Sequence, residues 1–241
     1  VNALSGTPAY AYDTKTLDNG LATPLWDFLS RGGKRWRPVL FSLVAEALGG
    51  EVERIRPLCA IPELVHNGTI IIDDIEDGSD LRRGKPSLHT LYGIDTAINA
   101  GNAAYFLPYC VLGDYPHLSD AQRLDIYRIL SRQSVRGHFG QGQDLCFART
   151  LTRGRLETWL SDSIAEKVLQ GYAWKTGAIV EGTAEAACVI AGAGPETRRA
   201  CAAFGRLLGV AFQIMDDVLD LSEARCREGN GGLDIAEGKL T

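Results

Sequence analysis

Apolar residues in this chain recur mostly at spacings of three and four, the period of an α-helix, and two of the resulting runs end in the same acidic pattern. The patterns are Asp73-Asp74-Ile75-Glu76-Asp77 and Asp216-Asp217-Val218-Leu219-Asp220. In each, the first and last Asp are four residues apart, so on a helix they stand on one face, one above the other. Alternating β-branched runs are short, and strand signals are few. The spacing predicts helices over approximately 21–30, 38–49, 52–77, 94–112, 119–147, 155–190 and 196–221. Punctuation comes from Gly32-Gly33, Gly49-Gly50, Gly78, Gly84, Gly113, Gly192 to Pro195, and Gly229 to Gly232. The fold class is therefore all-α, and with no long linker in view residues 1–241 read as a single helical domain.

The acidic patterns need a counter-charge. Like charges four residues apart repel, and each cluster closes a helix at the end where the backbone dipole is already negative. A divalent cation removes both penalties. All-oxygen carboxylate ligands suit Mg²⁺, which takes a few carboxylates and completes its octahedron with water and phosphate oxygens. In the second helix Gln213, Asp216, Asp217 and Asp220 form one polar stripe, while Phe204, Leu207, Leu208, Ala211, Met215 and Val218 lie opposite. Before the first cluster, His66, Thr69, Ile70, Asp73 and Asp77 share a face that turns from apolar to acidic, which suits an amphiphilic ligand.

The net charge of −5, from 25 basic and 30 acidic residues, with no dense basic stripe, argues against nucleic acid as a partner. Any anionic ligand then needs local cations. The six cysteines are scattered without metal-finger spacing, and we read them as reduced thiols of a cytoplasmic protein. Residues 1–20 lack the apolar core of a signal peptide, and no stretch approaches the length of a membrane span. The first residue is Val, and the last motif lies at the final residues, so natural ends are expected to be missing.

Cations do cluster. Arg31-Gly-Gly-Lys34-Arg35-Trp36-Arg37-Pro38 sets them around a glycine turn entering a helix, a place where phosphate oxygens are readily held. A solvated basic turn is the plain alternative. Leu81-Arg82-Arg83-Gly84-Lys85-Pro86 follows the first acidic cluster directly; surface ion pairing alone would contribute only about 0–1 kcal/mol per pair. Lys175-Thr176-Gly177 could be a commonplace glycine kink. His66 and His138 could each be a hydrogen-bonded structural histidine. The glycines of Gly137-His138-Phe139-Gly140-Gln141-Gly142-Gln143-Asp144 suit close helix packing better than a phosphate cradle, and Tyr105-Phe106 could be core.

The order of these motifs is informative. Gly-Gly-Lys-Arg-x-Arg-Pro is followed by Glu63-Leu-Val-His66, Asp-Asp-x-x-Asp, Leu-Arg-Arg-Gly-Lys-Pro-Ser-Leu-His89, Lys-Thr-Gly, Phe212-Gln213-Ile-Met-Asp-Asp-x-x-Asp, and Asp234-Ile-Ala-Glu-Gly-Lys239-Leu-Thr. Over residues 31–241 this closely resembles the trans-isoprenyl diphosphate synthases (polyprenyl synthetases), most of all the geranylgeranyl diphosphate synthases. The resemblance implies the isoprenoid synthase fold, a helical bundle around a deep central cavity, and a homodimer. It implies transfer of an allylic group to isopentenyl diphosphate, with three Mg²⁺ ions. Asp73 and Asp77 would hold two of them, and Asp216 with Asp220 the third. Arg82, Lys175 and Lys239 match grips on the allylic diphosphate, with Thr176 and Gln213 near the reacting carbons. Lys34, Arg37, His66 and Arg83 match the isopentenyl diphosphate site, where an Arg fork suits phosphate.

The chain also departs from the family. Gly229-Asn230-Gly231-Gly232 supplies no Lys before Asp234, where the family usually has one, and the usual C-terminal helices lie beyond the last motif. Gly68 and Thr69, five and four residues before Asp73, are small where shorter-product enzymes carry an aromatic stop. A helical turn of about 5.4 Å is then expected to stay open for a growing tail. By resemblance Tyr105, Phe106 and His138 form the floor, giving a C20 product. A class I terpene cyclase is the rival enzyme, but it would lack the Lys34, Arg37 and Arg83 set. A non-catalytic regulatory subunit of a heteromeric synthase would usually have lost the acidic clusters.

Overall fold

The computed structural model describes residues 6–150 and 163–221, apart from the side chains of Val52 and Arg54. Helix α1 (Thr14–Leu17) runs through a π-helical turn (Asp18–Ala22) into α2 (Thr23–Ser30), and α3 (Trp36–Ala47) follows. Next come α4 (Val52–Ile55), a 3₁₀ turn (Arg56–Cys59) and α5 (Ala60–Glu76). A hairpin of β1 (Leu81–Arg82) and β2 (Lys85–Pro86) leads to α6 (Leu88–Tyr92), α7 (Ile94–Gly113) and α8 (Asp120–Thr150). The chain ends with α9 (Ile164–Tyr172), a second π turn (Ala173–Gly177), α10 (Ala178–Ile190) and α11 (Pro195–Asp220). The all-α expectation holds.

Its details differ in ways the chemistry explains. The helix expected over 52–77 is broken, because Pro57 has no N–H to donate and the chain passes it as a 3₁₀ turn. Regular helix restarts at Ala60, with Pro62 in the first turn, where amides have no intrahelical partner. The hairpin was not foreseen, since two-residue strands carry no period. Its loop residues Arg83 and Gly84 have φ of 55° and 74°, the left-handed pair that a type I′ turn requires. Of the helix expected over 155–190, the described part begins at Ile164, and residues 155–162 lie outside the described set.

The described residues form two compact units, one of 6–39 and 56–118, the other of 40–55, 119–150 and 163–221. In the first, α5 and α7 meet through Gly68 and Gly101. A Cβ on Gly68 would stand 2.9 Å from the Gly101 carbonyl oxygen, and one on Gly101 2.9 Å from Ile72 Cδ1. Around this crossing Leu25, Phe28, Ile71, Leu88, Ala97, Ala100 and Ala104 are buried together.

The second unit centres on α10, from Ala178 to Val189 almost wholly buried. Helix α11 approaches it through Gly205 and Gly209; a Cβ on Gly205 would meet the Val180 carbonyl oxygen at 2.6 Å, and one on Gly209 the Gly177 Cα at 2.7 Å. Gly205, Gly209, Gln213 and Asp217 are spaced by four, so the glycine stripe and the polar stripe are one face. Phe204, Leu207, Met215 and Val218 are each more than half exposed among the described residues, while Asp217 and Asp220 are buried.

Candidate active site

The first acidic cluster sits where α5 stops. Gly78, at φ 64°, ends the helix: its N–H bonds the Ile75 carbonyl and the Ser79 N–H bonds that of Asp74 at 2.9 Å, the two bonds of a Schellman motif. Asp73 and Asp77 are half-buried in that last turn, and Asp74 is fully buried. Arg82, placed by β1, donates to Asp74 Oδ1 from Nε at 2.7 Å and approaches it with Nη2 at 2.5 Å. Burial holds the Asp74 carboxyl above the usual aspartate range, against the pull of Arg82. For Arg82, burial favours loss of the proton, but Asp74, Asp73 and Asp77 together outweigh it and hold the guanidinium firmly charged.

A cationic group occupies the same unit. Arg83 donates to the Gly32 carbonyl at 2.7 Å, lies over the Phe28 ring at 5.2 Å, and sits flat against Gly33, whose missing Cβ leaves it room. Arg35 donates to Glu63 Oε1 at 2.6 Å and to the Leu29 carbonyl. Asn67 steadies Glu63 in turn, from Nδ2 at 3.0 Å. Arg37 is only 6% exposed, stacks on Trp36 at 4.7 Å, and has a buried Nε with no partner. Burial, then Arg83, brings its pKa down to about 10, with Glu63 opposing. His66 is held well below the usual histidine value by burial and by Arg37, Arg83, Arg82 and Arg35, so it is neutral. Arg31 departs from the expected phosphate role: its side chain is fully buried on Asp27 at 2.7 Å and the Pro86 carbonyl at 2.8 Å.

In the second unit the π turn carries Lys175 and Thr176, an irregularity often found at functional sites. Lys175 pairs with Asp144 at 2.6 Å. The Thr176 hydroxyl donates to Gln213 Oε1 at 2.6 Å, and Gln213 Nε2 donates to Asp217 Oδ1 at 2.9 Å. Tyr172 completes the chain by donating its hydroxyl hydrogen to Asp217. Asp216 is half-buried and Asp220 is 5% exposed. Sequence reasoning missed Tyr172, Asp144 and the burial of Asp74 and Asp217; Tyr172 stands three residues before Lys175, one turn back on the same face.

The chain-length residues fare unevenly. Gly68 does not border open space as expected; the Gly101 carbonyl, Ala104 and Tyr105 fill it. Thr69 bonds back to the His66 carbonyl at 2.7 Å, turning its hydroxyl into the helix. Tyr105 is half-buried beside the first cluster, and burial with Glu76 and Asp73 holds its hydroxyl protonated. Phe106, next along α7, is 67% exposed, so the two rings do not form one surface. His138 is exposed on α8, and Lys34 is exposed before α3. Gly140 does serve close packing, whereas Gly137 and Gly142 meet nothing within 4 Å. Lys239 and Asp234 lie outside the described residues.

Among the described residues no three His, Cys, Asp or Glu side chains stand together as a closed metal cage. The donors are nevertheless of the right chemistry for Mg²⁺, which takes few protein carboxylates and keeps positions for water and phosphate. No described helix is long and apolar enough to cross a membrane.

The chain has the isoprenoid synthase fold: a geranylgeranyl pyrophosphate synthetase from the archaeon Geoglobus acetivorans superposes on it with a TM-score of 0.79 at 31% identity, covering 94% of this chain and 70% of that one. The polyprenyl synthetase family model matches residues 18–241, and the chain belongs to that family. It is 36% identical over 195 residues to a geranylfarnesyl diphosphate synthase of Aeropyrum pernix, covering 79% of this chain and 58% of that protein. It is 35% identical over 226 residues to a geranylgeranyl pyrophosphate synthase of Geoglobus acetivorans, covering 92% and 66%. Among solved structures, a polyprenyl synthase from Caulobacter crescentus CB15, complexed with calcium and isoprenyl diphosphate, superposes with a TM-score of 0.77 at 27% identity, covering 96% of this chain and 65% of that one. The chain spans about three fifths of the length of the curated relatives it matches.

Proposed function

We propose that this chain catalyses Mg²⁺-dependent head-to-tail prenyl transfer, condensing isopentenyl diphosphate with an allylic diphosphate to give geranylgeranyl diphosphate. The observation that carries it is Arg37, a buried guanidinium with an unpartnered Nε, set among Arg35, Arg82, Arg83 and a neutral His66. A buried cation short of a partner is costly until an anion arrives. An acidic cluster stands directly before the Arg82-Arg83 hairpin, and a diphosphate held on magnesium satisfies both groups.

Asp73 and Asp77 in the first unit, and Asp216 with Asp220 in the second, would hold the ions, three in number by family resemblance. When bound, Mg²⁺ neutralises charge that grows on the departing diphosphate. Arg82 and Lys175, with Lys239, grip the allylic diphosphate. Lys34, Arg37, His66 and Arg83 bind isopentenyl diphosphate through side chains, with His66 as a neutral donor. Thr176 and Gln213 place oxygen dipoles beside the reacting carbons, where positive charge develops once the allylic bond breaks. Orientation of the two substrates supplies much of the acceleration.

The relatives named as geranylgeranyl and geranylfarnesyl synthases support a product near C20. Cytoplasmic location and a homodimer complete the reading, resting on the thiols and on the family. The test is an assay with labelled isopentenyl diphosphate, Mg²⁺ and each of the C5, C10 and C15 primers, with products separated by chromatography. We expect a C20 diphosphate; cyclic hydrocarbon from geranylgeranyl diphosphate alone, or no turnover with any primer, would overturn the proposal.

A further inference from the structure

The two acidic clusters share an arrangement that metal binding leaves unexplained. In each, the second carboxylate is buried, Asp74 at 0% and Asp217 at 8% exposure, and each is held by side chains of its own unit. Resting on the prenyl-transfer reading, we propose that Asp74 and Asp217 are positioning residues: Asp74 fixes the Arg82 fork for the allylic diphosphate, and Asp217 fixes the Gln213 amide beside the reacting carbons.

For Asp74 the argument is geometric. Nε and Nη2 of Arg82 converge on one oxygen, Oδ1, which sets the plane of the guanidinium. A guanidinium has five N–H groups, so others remain for an anion. The hairpin that carries Arg82 has only two residues per strand and cannot orient a long side chain alone. Asp74, anchored in α5 one residue from Asp73, ties that side chain to the metal-binding end of the helix.

For Asp217 the argument concerns the direction of hydrogen bonds. A carboxylate only accepts, so the Gln213 amide must turn its nitrogen to Asp217 and its oxygen to Thr176. The Thr176 hydroxyl then spends its hydrogen on Gln213, and its lone pairs are left for a developing cation. Tyr172 occupies the other Asp217 oxygen and holds the carboxylate in place. Donation thus converges on the Asp217 carboxylate, from Tyr172 at one oxygen and from Thr176 through Gln213 at the other, and the carboxylate sets both directions.

The test compares Asp73→Asn, Asp74→Asn, Arg82→Lys, Asp217→Asn and Tyr172→Phe in the full chain. Affinity for inorganic pyrophosphate is measured by calorimetry at stepped Mg²⁺, and steady-state kcat and KM are measured with allylic primers. Asp74→Asn and Arg82→Lys should each weaken pyrophosphate about tenfold, the scale of one charged hydrogen bond, without raising the Mg²⁺ needed for half-saturation. Their double variant should be no worse than either single one, the mark of a shared interaction. Asp217→Asn, whose amide can also donate and so lets Gln213 reverse, should lower kcat about 10- to 100-fold with KM little changed. Tyr172→Phe should show a smaller loss of the same kind. Asp73→Asn alone should raise the Mg²⁺ requirement. A Mg²⁺ requirement raised as far by Asp74→Asn or Asp217→Asn, or additive losses in the Asp74/Arg82 pair, would overturn the inference. Failure of the prenyl-transfer reading looks different: the unmodified chain would turn over no primer, while the pyrophosphate titrations would still report the Asp74–Arg82 coupling.

Discussion

Gly140 of α8 lies so close to the backbone nitrogen of Lys175 that a Cβ on the glycine would fall well inside 3 Å. The position of the π turn, and with it Lys175 and Thr176, is set by a side chain that is not there. Gly140→Ala should cost about 1–3 kcal/mol, the usual price of overpacking, and lower prenyl transfer by displacing Lys175. Gly137→Ala and Gly142→Ala, in the same helix with nothing within 4 Å, should instead gain about 0.5–1 kcal/mol from helix propensity. Urea denaturation of the three variants checks the contrast, and equal losses at all three positions would contradict the packing role.

Removing a carboxylate proposed to hold Mg²⁺ should separate fold from activity. Asp73 and Asp216 are half-buried near helix ends, and neither is counted among the buried polar side chains. Asp73→Ala or Asp216→Ala should therefore keep the far-ultraviolet circular dichroism of the parent. Turnover should fall by about 100-fold or more, the scale of losing one charge-stabilising group at a transition state. Near-normal rates at saturating Mg²⁺ would reject the assigned roles.

Much of this site was legible because helical period and charge are both local properties. Asp73 and Asp77 could be placed on one face at a helix end from spacing alone, and in the structure they stand in the last turn and cap of α5. What the sequence could not show was which side of α11 faces the rest of its unit. The period puts Phe204, Leu207 and Met215 on one face without saying where it points; Gly205 and Gly209 bring α11 against α10 and the π turn, and that closeness turns the polar stripe inward. At Gly68 smallness was read as free space, whereas the Gly101 carbonyl occupies it. Pairings such as Arg82 on Asp74 or Tyr172 on Asp217 depend on tertiary approach and leave no period in the chain.

His66 makes stability depend on pH with a definite sign. Its folded pKa lies well below the ordinary histidine value of 6.5, through burial and then Arg37, Arg83, Arg82 and Arg35, so below 6.5 the unfolded chain binds the proton more readily. Stability should be retained above pH 6.5 and fall as pH drops toward the folded value, by at most about 1.4 kcal/mol per pH unit. Glu185 and Asp74, whose pKa values are raised, act in the opposite direction at lower pH. The His66→Gln variant removes the histidine contribution and leaves the others in place. Denaturation at pH 5, 6 and 7 should show a smaller loss on acidification in the variant; identical slopes would mean that His66 does not stay neutral.

Product length offers the sharpest test of the first unit. Tyr105 is half-buried against Gly68, its Cε1 3.3 Å from where a Cβ on that glycine would stand, and it lies near Asp73 and Glu76. Phe106 is 67% exposed on a different side of α7. If a ring on α7 stops the growing tail, Tyr105 is the one placed to do it. Tyr105→Ala should lengthen the product beyond C20, Phe106→Ala alone should leave it unchanged, and the double variant should match Tyr105→Ala. Substituting Gly68 by Phe is not an equivalent probe, because any Cβ there meets the Gly101 carbonyl at 2.9 Å and would loosen the α5–α7 crossing before it could block a cavity. Chromatography of the prenyl products distinguishes the cases, and an unchanged spectrum in Tyr105→Ala would remove α7 as the floor.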